Sequence, residues 1–168
     1  YRNIRLINDE IINQDTSQFD YTISHDSFEH FDEPEKELEE MIRVTKVGGH
    51  ILIKFGPSWG SPWGRHMSGT IRRDRPWVHL IIPERTIMRC YSVYHNDSEI
   101  KTRYAQKEGG LNKMTISKFL KILSNRSDIV IRKKIIFPVF SKLLILAYLP
   151  VLRDYFGGAI SVDLEKVS

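Results

Sequence analysis

Cysteine is almost absent from this chain of 168 residues, which contains only Cys90. A single cysteine excludes an internal disulfide and a zinc site built from several cysteines. This usage fits a reducing compartment, and we expect a cytoplasmic protein. The sequence begins at Tyr1 without a stretch typical of a signal peptide, so we expect further residues upstream.

The sequence also lacks a long uninterrupted apolar run. The longest mostly apolar stretch extends from Ile135 to Leu152, and two prolines, a serine and a lysine interrupt it. Because a membrane-spanning helix needs about 20 apolar residues, we expect a buried helix there instead. A helix lying on a membrane surface, flanked by Lys133, Lys134 and Arg153, is the alternative.

Charge is distributed unevenly although the net charge is only +4. Residues 1–41 carry three basic and twelve acidic side chains, whereas residues 101–142 carry eleven basic and two acidic ones. Such asymmetry marks either a site for an anionic partner or two faces that complement each other, and we favour the second. We do not expect nucleic-acid binding, because the basic charge is dispersed and no Asn-Pro-Pro-Tyr-type base-flipping motif occurs.

The first half of the sequence predicts strands alternating with a helix. Residues 3–12 and 19–24 have the composition of strands, and residues 50–55 predict a third. Between the last two lies a helical pattern with Asp32 as N-cap, Pro34 in the first turn and Gly48-Gly49 at its end. This order implies parallel crossovers and an α/β sheet.

The second half predicts three helices and two strands. We expect helices over residues 83–95, over 115–126 with Thr115 as cap, and over 141–156 with a bend at Pro150. Residues 128–137 predict a strand. Residues 159–167 alternate as an edge or antiparallel strand does.

Titratable side chains crowd the end of the strand over residues 19–24. The stretch "FDYTISHDSFEHFDEP" contains His25, His30 and several acids. Open α/β sheets bind ligands at the carboxyl ends of their strands, so this crowding indicates a ligand site. A solvated loop followed by an ordinary helix cap is the alternative.

The block over residues 19–57 resembles the class I S-adenosylmethionine-dependent methyltransferases, in particular their type 11-like branch. It has Phe-Asp on a strand, Glu29-His30 in the following loop, a helix, and "RVTKVGG" before the next strand. Thr45 and Val47 stand where the family usually has Leu and Pro. Several elements in order at family spacing make the match specific.

The resemblance implies a Rossmann-like α/β fold with the family's strands three, four, five, seven and six in this chain and the last strand antiparallel. Residues 1–168 would be a single partial methyltransferase domain, and residues 57–112 an insert that covers the substrate. The glycine-rich cofactor loop and strands one and two would precede Tyr1. These residues alone would then carry half of the cofactor site, and we expect them to bind cofactor weakly.

The implied cofactor is S-adenosylmethionine, and the resemblance marks six candidate binding residues: Asp9, Glu10, Ser24, His25, Asp26 and Phe28. Asp9, with Glu10 as its neighbour and competitor, would accept a hydrogen bond from the adenine amino group. Ser24, His25 and Asp26 would line the methionine part. Phe28 would pack on the cofactor, or belong to the core.

His30, His66 and His79 are the candidate catalytic residues. A neutral imidazole can take a proton from a hydroxyl or amine as the methyl group arrives. His66 and His79 lie in "WGSPWGRHM" and "RPWVHL", which resemble an insert that covers the acceptor in related sequences. The alternative for each histidine is a structural role, with its side chain bonded to backbone.

Further residues near His66 and His79 could form the wall of the acceptor pocket or a charged contact with the acceptor. Three tryptophans would supply flat apolar walls, namely Trp59, Trp63 and Trp77. The basic side chains Arg72, Arg73 and Arg75 would bind an anionic acceptor or form a solvated face.

We expect no metal. The alternative set is Asp26, Glu29 and His30, which matches the acid-x-x-Glu-His pattern of some metal-dependent relatives in the ubiquinone pathway.

Two functions remain open from the sequence. The first is methyl transfer from S-adenosylmethionine to a small-molecule acceptor, through an oxygen, nitrogen or carbon nucleophile. The second is a truncated or inactive methyltransferase-like domain that acts through protein association. An exposed strand edge would promote self-association in either case.

Overall fold

The computed structural model describes residues 10–67, 75–107 and 109–168. The strands are β1 (Phe19–His25), β2 (Thr45–Phe55), β3 (Ile129–Pro138) and β4 (Gly157–Lys166). The α-helices are α1 (Pro34–Val44), α2 (Val78–Ile81), α3 (Glu84–His95), α4 (Ile116–Ser124), α5 (Leu144–Tyr148) and α6 (Arg153–Phe156). Short 3-10 turns cover Ile11–Asn13, Tyr104–Gln106 and Ser141–Leu143.

The strands form one sheet in the order β1-β2-β4-β3. β1 and β2 are parallel, and α1 supplies the crossover that a parallel pair needs. β4 runs antiparallel to both β2 and β3, so it is an inner antiparallel strand rather than an edge. This topology confirms the predicted α/β, Rossmann-like class with an antiparallel last strand.

The hydrophobic core joins the sheet to α1 and α4. Alternate residues of β2 and β4 are buried, as a half-buried strand requires: Ile51, Ile53, Phe55, Ile160, Val162 and Leu164. Helical spacing brings Leu38, Met41 and Ile42 to the same core from α1. In α4, Phe119 and Leu123 are buried, and Thr115 caps the helix by accepting a hydrogen bond from the backbone N–H of Lys118.

The start of α1 differs from the prediction in its cap. Pro34 is the first helical residue, as expected, but the N-cap is Glu33 rather than Asp32. No side chain caps this end. The carboxylates of Glu35 and Glu37 in the first turn complement the helix dipole there instead.

The end of α1 was predicted wrongly. The helix stops at Val44, and Gly48-Gly49 lie inside β2. The Thr45 hydroxyl contacts the Thr22 hydroxyl of β1 at 2.6 Å, so cross-strand pairing begins before the glycines. The register of the two strands then shifts, and Gly48 takes a φ of 79° there, a conformation that glycine adopts without penalty.

The continuous helix predicted over residues 141–156 is also wrong. The segment consists of a 3-10 turn, α5 and α6, separated around Pro150. Leu149 is extended, as the residue before a proline prefers, and this ends α5. The expected buried helix is therefore partly on the surface, where Ile145 is 76% and Val151 82% exposed. Among the described residues, every helix is too short or too polar to cross a bilayer.

The strand predicted over residues 3–12 lies mostly outside the described residues. Its described end is not extended, since Ile11–Asn13 forms a 3-10 turn. Arg43 fastens this turn to α1 by donating to the carbonyl oxygens of Ile11 at 3.1 Å and Gln14 at 2.8 Å.

A bidentate ion pair closes the turn between α4 and β3. From this pair we predict that the stability of the protein depends on pH. Arg126 donates to both carboxylate oxygens of Asp128 at 2.9 and 2.6 Å, and these hydrogen bonds hold the pKa of Asp128 below its usual range. The pair therefore stabilises the fold above the unfolded pKa of about 3.9 and stops doing so as the pH falls through the lower folded pKa. Asp128→Asn should cost about 0.5–1 kcal/mol at neutral pH.

Urea unfolding of both proteins from neutral pH to about pH 3 measures this difference in unfolding free energy. The difference should shrink at the acidic end. Asp20→Asn is the control, because Asp20 pairs with Lys46 while 75% exposed and should contribute little. A difference that is the same at every pH would contradict the assignment.

Candidate active site

The candidate site lies at the carboxyl ends of the parallel strands β1 and β2. Glu29 and His30 follow β1, and Gly56 and Pro57 follow β2 directly. Ligands of open α/β sheets bind in the crevice outside such strand ends. The titratable side chains that follow β1 therefore lie where a ligand is expected to bind.

Ser24, His25 and Asp26 form the end of β1 and the residue after it. Ser24 is buried, and its hydroxyl oxygen has no hydrogen-bond partner in the part of the chain that the structure describes. His25 and Asp26 are exposed and pair with each other at 3.1 Å. Asp26 has a φ of 51°, in the left-handed region that non-glycine residues rarely occupy.

Phe28 belongs to the core. Its side chain is fully buried, with ring centroids of Phe119, Phe31 and Phe55 at 5.0, 5.6 and 6.1 Å. Its ring therefore supports the loop from below, and the core alternative stated for it is the one that the structure shows.

Glu29 carries a buried carboxyl group with one unused oxygen. It is 3% exposed, and Oε1 accepts a hydrogen bond from the Gly56 backbone N–H at 3.3 Å. Oε2 has no partner among the described residues. Burial raises the pKa of this carboxyl, against smaller opposing effects of backbone hydrogen bonds.

His30 is held by a backbone segment far away in sequence. Its Nδ1 lies 2.5 Å from the Gly109 carbonyl oxygen and 2.9 Å from that of Gly110. Because carbonyl oxygens only accept, Nδ1 carries a proton and donates, which leaves Nε2 as the second ring nitrogen, directed away from these carbonyls.

His66 lies beside His30. Its Nε2 donates to the Pro57 carbonyl oxygen at 2.8 Å, and its ring centroid is 5.4 Å from that of His30 in an edge-on arrangement. Burial lowers the pKa of His66, which favours the neutral ring. One ligand-type atom from each of Glu29, His30 and His66 lies within 4.8 Å of the other two.

His79 takes the structural role given as its alternative. Its Nε2 donates to the Trp59 carbonyl oxygen at 2.6 Å, and its ring packs against Trp59 at 4.8 Å. Burial lowers the pKa of His79 as well. In the described part of the chain, the group of Glu29, His30 and His66 includes neither His79 nor Asp26.

Residues 57–112 contain a small core of their own. Its buried members are Met67, Ile87, Met88, Tyr91, Tyr104 and Leu111, with Trp59 packed against them. Trp59 thus faces this core. Trp63 is only partly buried, and Trp77 lies 6.2 Å from Phe156, measured between ring centroids.

Asn112 is a positioning residue that sequence reasoning missed. Its Nδ2 donates to the carbonyl oxygens of Phe28 at 2.9 Å and Phe31 at 2.8 Å, and its backbone N–H donates to the Glu29 carbonyl oxygen at 3.0 Å. Together with the His30 bonds, this contact fastens the loop after β1 to residues 109–112. The adjacent glycines at 109 and 110 were the only local signal of a close backbone approach.

The remaining candidate residues lie outside the described residues or at their edges. Asp9, Arg72 and Arg73 lie outside the described residues. Glu10 is exposed and caps the 3-10 turn of Ile11–Asn13 through its backbone position, and Arg75 is exposed.

Comparisons with known proteins bear on the family and the fold. Residues 6–53 match the methyltransferase domain family. A solved structure from Listeria monocytogenes, assigned to the S-adenosylmethionine-dependent methyltransferases, has 10% identity and a TM-score of 0.54, with 98% of this chain and 72% of that one covered. An S-adenosylmethionine-dependent methyltransferase from Mesorhizobium loti has 14% identity and a TM-score of 0.51, with 91% and 64% covered. A comparison with curated proteins found no match.

The fold is therefore that of the S-adenosylmethionine-dependent methyltransferases. The matched residues overlap the block of β1, α1 and β2 that resembles the type 11-like class I enzymes, and the resemblance is confirmed there. Across eight solved structures the chain spans 49% to 72% of their length.

Proposed function

We propose that the protein transfers the methyl group of S-adenosylmethionine to a small-molecule acceptor in the cytoplasm. One observation carries this proposal. In a sheet of methyltransferase type, Glu29, His30 and His66 meet at the carboxyl ends of β1 and β2, where such sheets bind ligands.

The cofactor side is assigned to Ser24, His25 and Asp26. The buried Ser24 hydroxyl, which has no partner among the described residues, fits a polar ligand group, because buried polar atoms are normally hydrogen-bonded. Asp9 and Glu10 are proposed for the adenine end from the sequence pattern alone. When bound, the cofactor supplies a methyl group on a positively charged sulfur.

The acceptor side is assigned to His30 and His66. Each imidazole donates one N–H to a backbone carbonyl, so its other nitrogen can accept a proton from an acceptor hydroxyl or amine. Methyl transfer needs alignment and a deprotonated nucleophile, and fixed rings serve both needs. We leave His79 out of the acceptor side because its ring packs against Trp59 and its Nε2 donates to the Trp59 carbonyl oxygen. We propose that residues 57–112 cover the acceptor.

Cofactor binding by the intact protein tests this proposal. Its mass is first compared with the 19.7 kDa of this chain, and S-adenosylhomocysteine is then titrated by calorimetry. Ser24→Ala should weaken binding about 3–10-fold, the value of one hydrogen bond. Ser61→Ala is the matched control, because Ser61 is also buried, in the segment after β2, and its hydroxyl has no partner among the described residues.

Transfer of a labelled methyl group into a small-molecule extract then tests the reaction itself. Absence of cofactor binding by the intact protein, or an equal effect of both serine variants, would reject the assignment.

A domain that acts by association is the alternative, and one observation favours it. β1 pairs only with β2 among the described strands, and Tyr21 and Ile23 on it are 62% and 67% exposed. Such an edge can pair with a second copy. Ile23→Lys should then raise the dimer dissociation constant at least about tenfold, since a charge on the strand opposes pairing.

Light scattering over a concentration series measures this association. Ile81→Lys is the control, because Ile81 is 78% exposed on α2, outside the sheet. A wild-type protein that stays monomeric throughout the series would exclude self-association through β1.

A further inference from the structure

Glu29, His30 and His66 have the composition and the spacing of a metal-binding group. A carboxylate oxygen and two imidazole nitrogens lie within 4.8 Å of one another, from a buried residue and two half-buried ones. Two ligand atoms of a tetrahedral zinc ion are about 3.3 Å apart, given metal–ligand distances of about 2.0–2.1 Å. Modest side-chain rotation would therefore bring the three atoms to one ion.

The two histidines are oriented as metal ligands usually are. A ligating imidazole typically donates its second N–H to a backbone carbonyl or carboxylate, which fixes the tautomer and the ring plane. His30 does so to the Gly109 and Gly110 carbonyl oxygens, and His66 to the Pro57 carbonyl oxygen. The remaining nitrogens, His30 Nε2 and His66 Nδ1, are the ones free to bind an ion.

The carboxylate provides an independent observation. Glu29 is 3% exposed, Oε1 is used by the Gly56 N–H, and Oε2 has no hydrogen-bond partner among the described residues. A buried carboxylate oxygen without a partner is costly unless a cation or a donor completes it. An ion between the two imidazole rings would supply the missing partner of this oxygen.

We propose that Glu29 Oε2, His30 Nε2 and His66 Nδ1 form a binding site for a divalent transition-metal ion of the zinc type. Two imidazoles and one carboxylate are a donor set that zinc and neighbouring metals accept, and three protein ligands leave a position open. This set differs from the Asp26, Glu29 and His30 pattern indicated by the sequence. In the structure Asp26 turns to His25 and is 49% exposed, whereas His66 joins from the segment after β2.

The inference concerns ion binding and stands without the methyl-transfer proposal. If both hold, the open position faces the acceptor side, and the imidazoles serve as ligands there rather than as proton acceptors. Binding of cobalt and binding of S-adenosylhomocysteine are separate measurements, so either proposal can fail without the other.

Cobalt(II) is the probe, because its visible absorption reports both binding and ligand geometry. The intact protein is freed of metal with a chelator and titrated with Co²⁺, and zinc is then used to displace it. The variants are Glu29→Gln, His30→Ala and His66→Ala. The matched controls are Asp26→Asn and His25→Ala, which alter neighbouring titratable residues outside the proposed set.

We expect one Co²⁺ per chain, with tetrahedral or five-coordinate absorption that zinc abolishes. Each of the three ligand variants should weaken Co²⁺ binding more than about tenfold, since even outer-sphere partners are worth about 10–100-fold. The two controls should bind as the wild type does. Thermal melting of each variant separates loss of the site from loss of the fold, and Glu29→Gln keeps the side-chain shape if an alanine variant unfolds.

Two results would overturn the proposal. The first is a wild-type protein that binds neither Co²⁺ nor Zn²⁺ at millimolar concentration. The second is retention of binding in folded His66→Ala together with its loss in Asp26→Asn, which would assign the ion to the sequence-based set.

Discussion

Alanine in place of Phe28 should lower the free energy of unfolding by about 3–5 kcal/mol, the usual cost of deleting a buried phenylalanine. Phe28 is fully buried and contacts Phe119 edge-on at a centroid distance of 5.0 Å. The cavity left behind would be lined by rings anchored on β2 and α4, which cannot collapse into it without moving those elements. Urea unfolding followed by tryptophan fluorescence measures the change.

Phe140→Ala is the matched control, because Phe140 is 43% exposed and its loss should change stability by less than about 1 kcal/mol. A stable Phe28→Ala variant with reduced affinity for S-adenosylhomocysteine would contradict the core assignment. That result would return Phe28 to the cofactor contact implied by the resemblance.

Periodicity was sufficient to predict the three longest helices and the strand β4. α1, α3 and α4 each carry an apolar face at helical spacing, and the alternation in β4 is visible directly in the sequence. Element ends were less predictable, because they depend on tertiary partners. Gly48-Gly49 has the appearance of a helix stop, yet Thr45 already pairs with Phe19 of β1, so β2 starts earlier.

The site could be predicted only in part, because it too depends on tertiary partners. Glu29 and His30 are adjacent in sequence and follow a strand, so their location needs only the fold. The partners that orient His30 are backbone carbonyls 79 and 80 residues away, and backbone atoms leave no side-chain signature. Which histidine joins His30 likewise depends on the tertiary fold, because the sequence motifs around His66 and His79 do not distinguish the two.

Gly64→Ala should destabilise the protein by about 3 kcal/mol or more, beyond the usual range of about 1–3 kcal/mol for overpacking. A Cβ on Gly64 would lie 2.2 Å from the Trp59 carbonyl oxygen and 2.4 Å from that of Ser58. Both contacts are with backbone atoms, so no side-chain rotation relieves them. The chain from Ser58 to His66 must shift instead.

Such a shift would act on the candidate site as well as on stability. This short segment is held by its own turns, including the bond from the His66 backbone N–H to the Trp63 carbonyl oxygen at 3.1 Å. Moving it displaces the His66 ring from His30, so folded Gly64→Ala should also lose Co²⁺ affinity.

Gly158→Ala is the control for this substitution, since the nearest atoms to its Cβ would be a side-chain methyl of Val139 at 3.3 Å and the Phe137 carbonyl oxygen at 3.4 Å. Its effect should stay within about 1 kcal/mol. A Gly64→Ala protein with wild-type stability and unchanged Co²⁺ binding would show that this segment does not fix His66. A loss of both stability and Co²⁺ affinity in Gly64→Ala would show that this backbone segment holds His66 in place as a ligand, rather than His66 merely lying near His30.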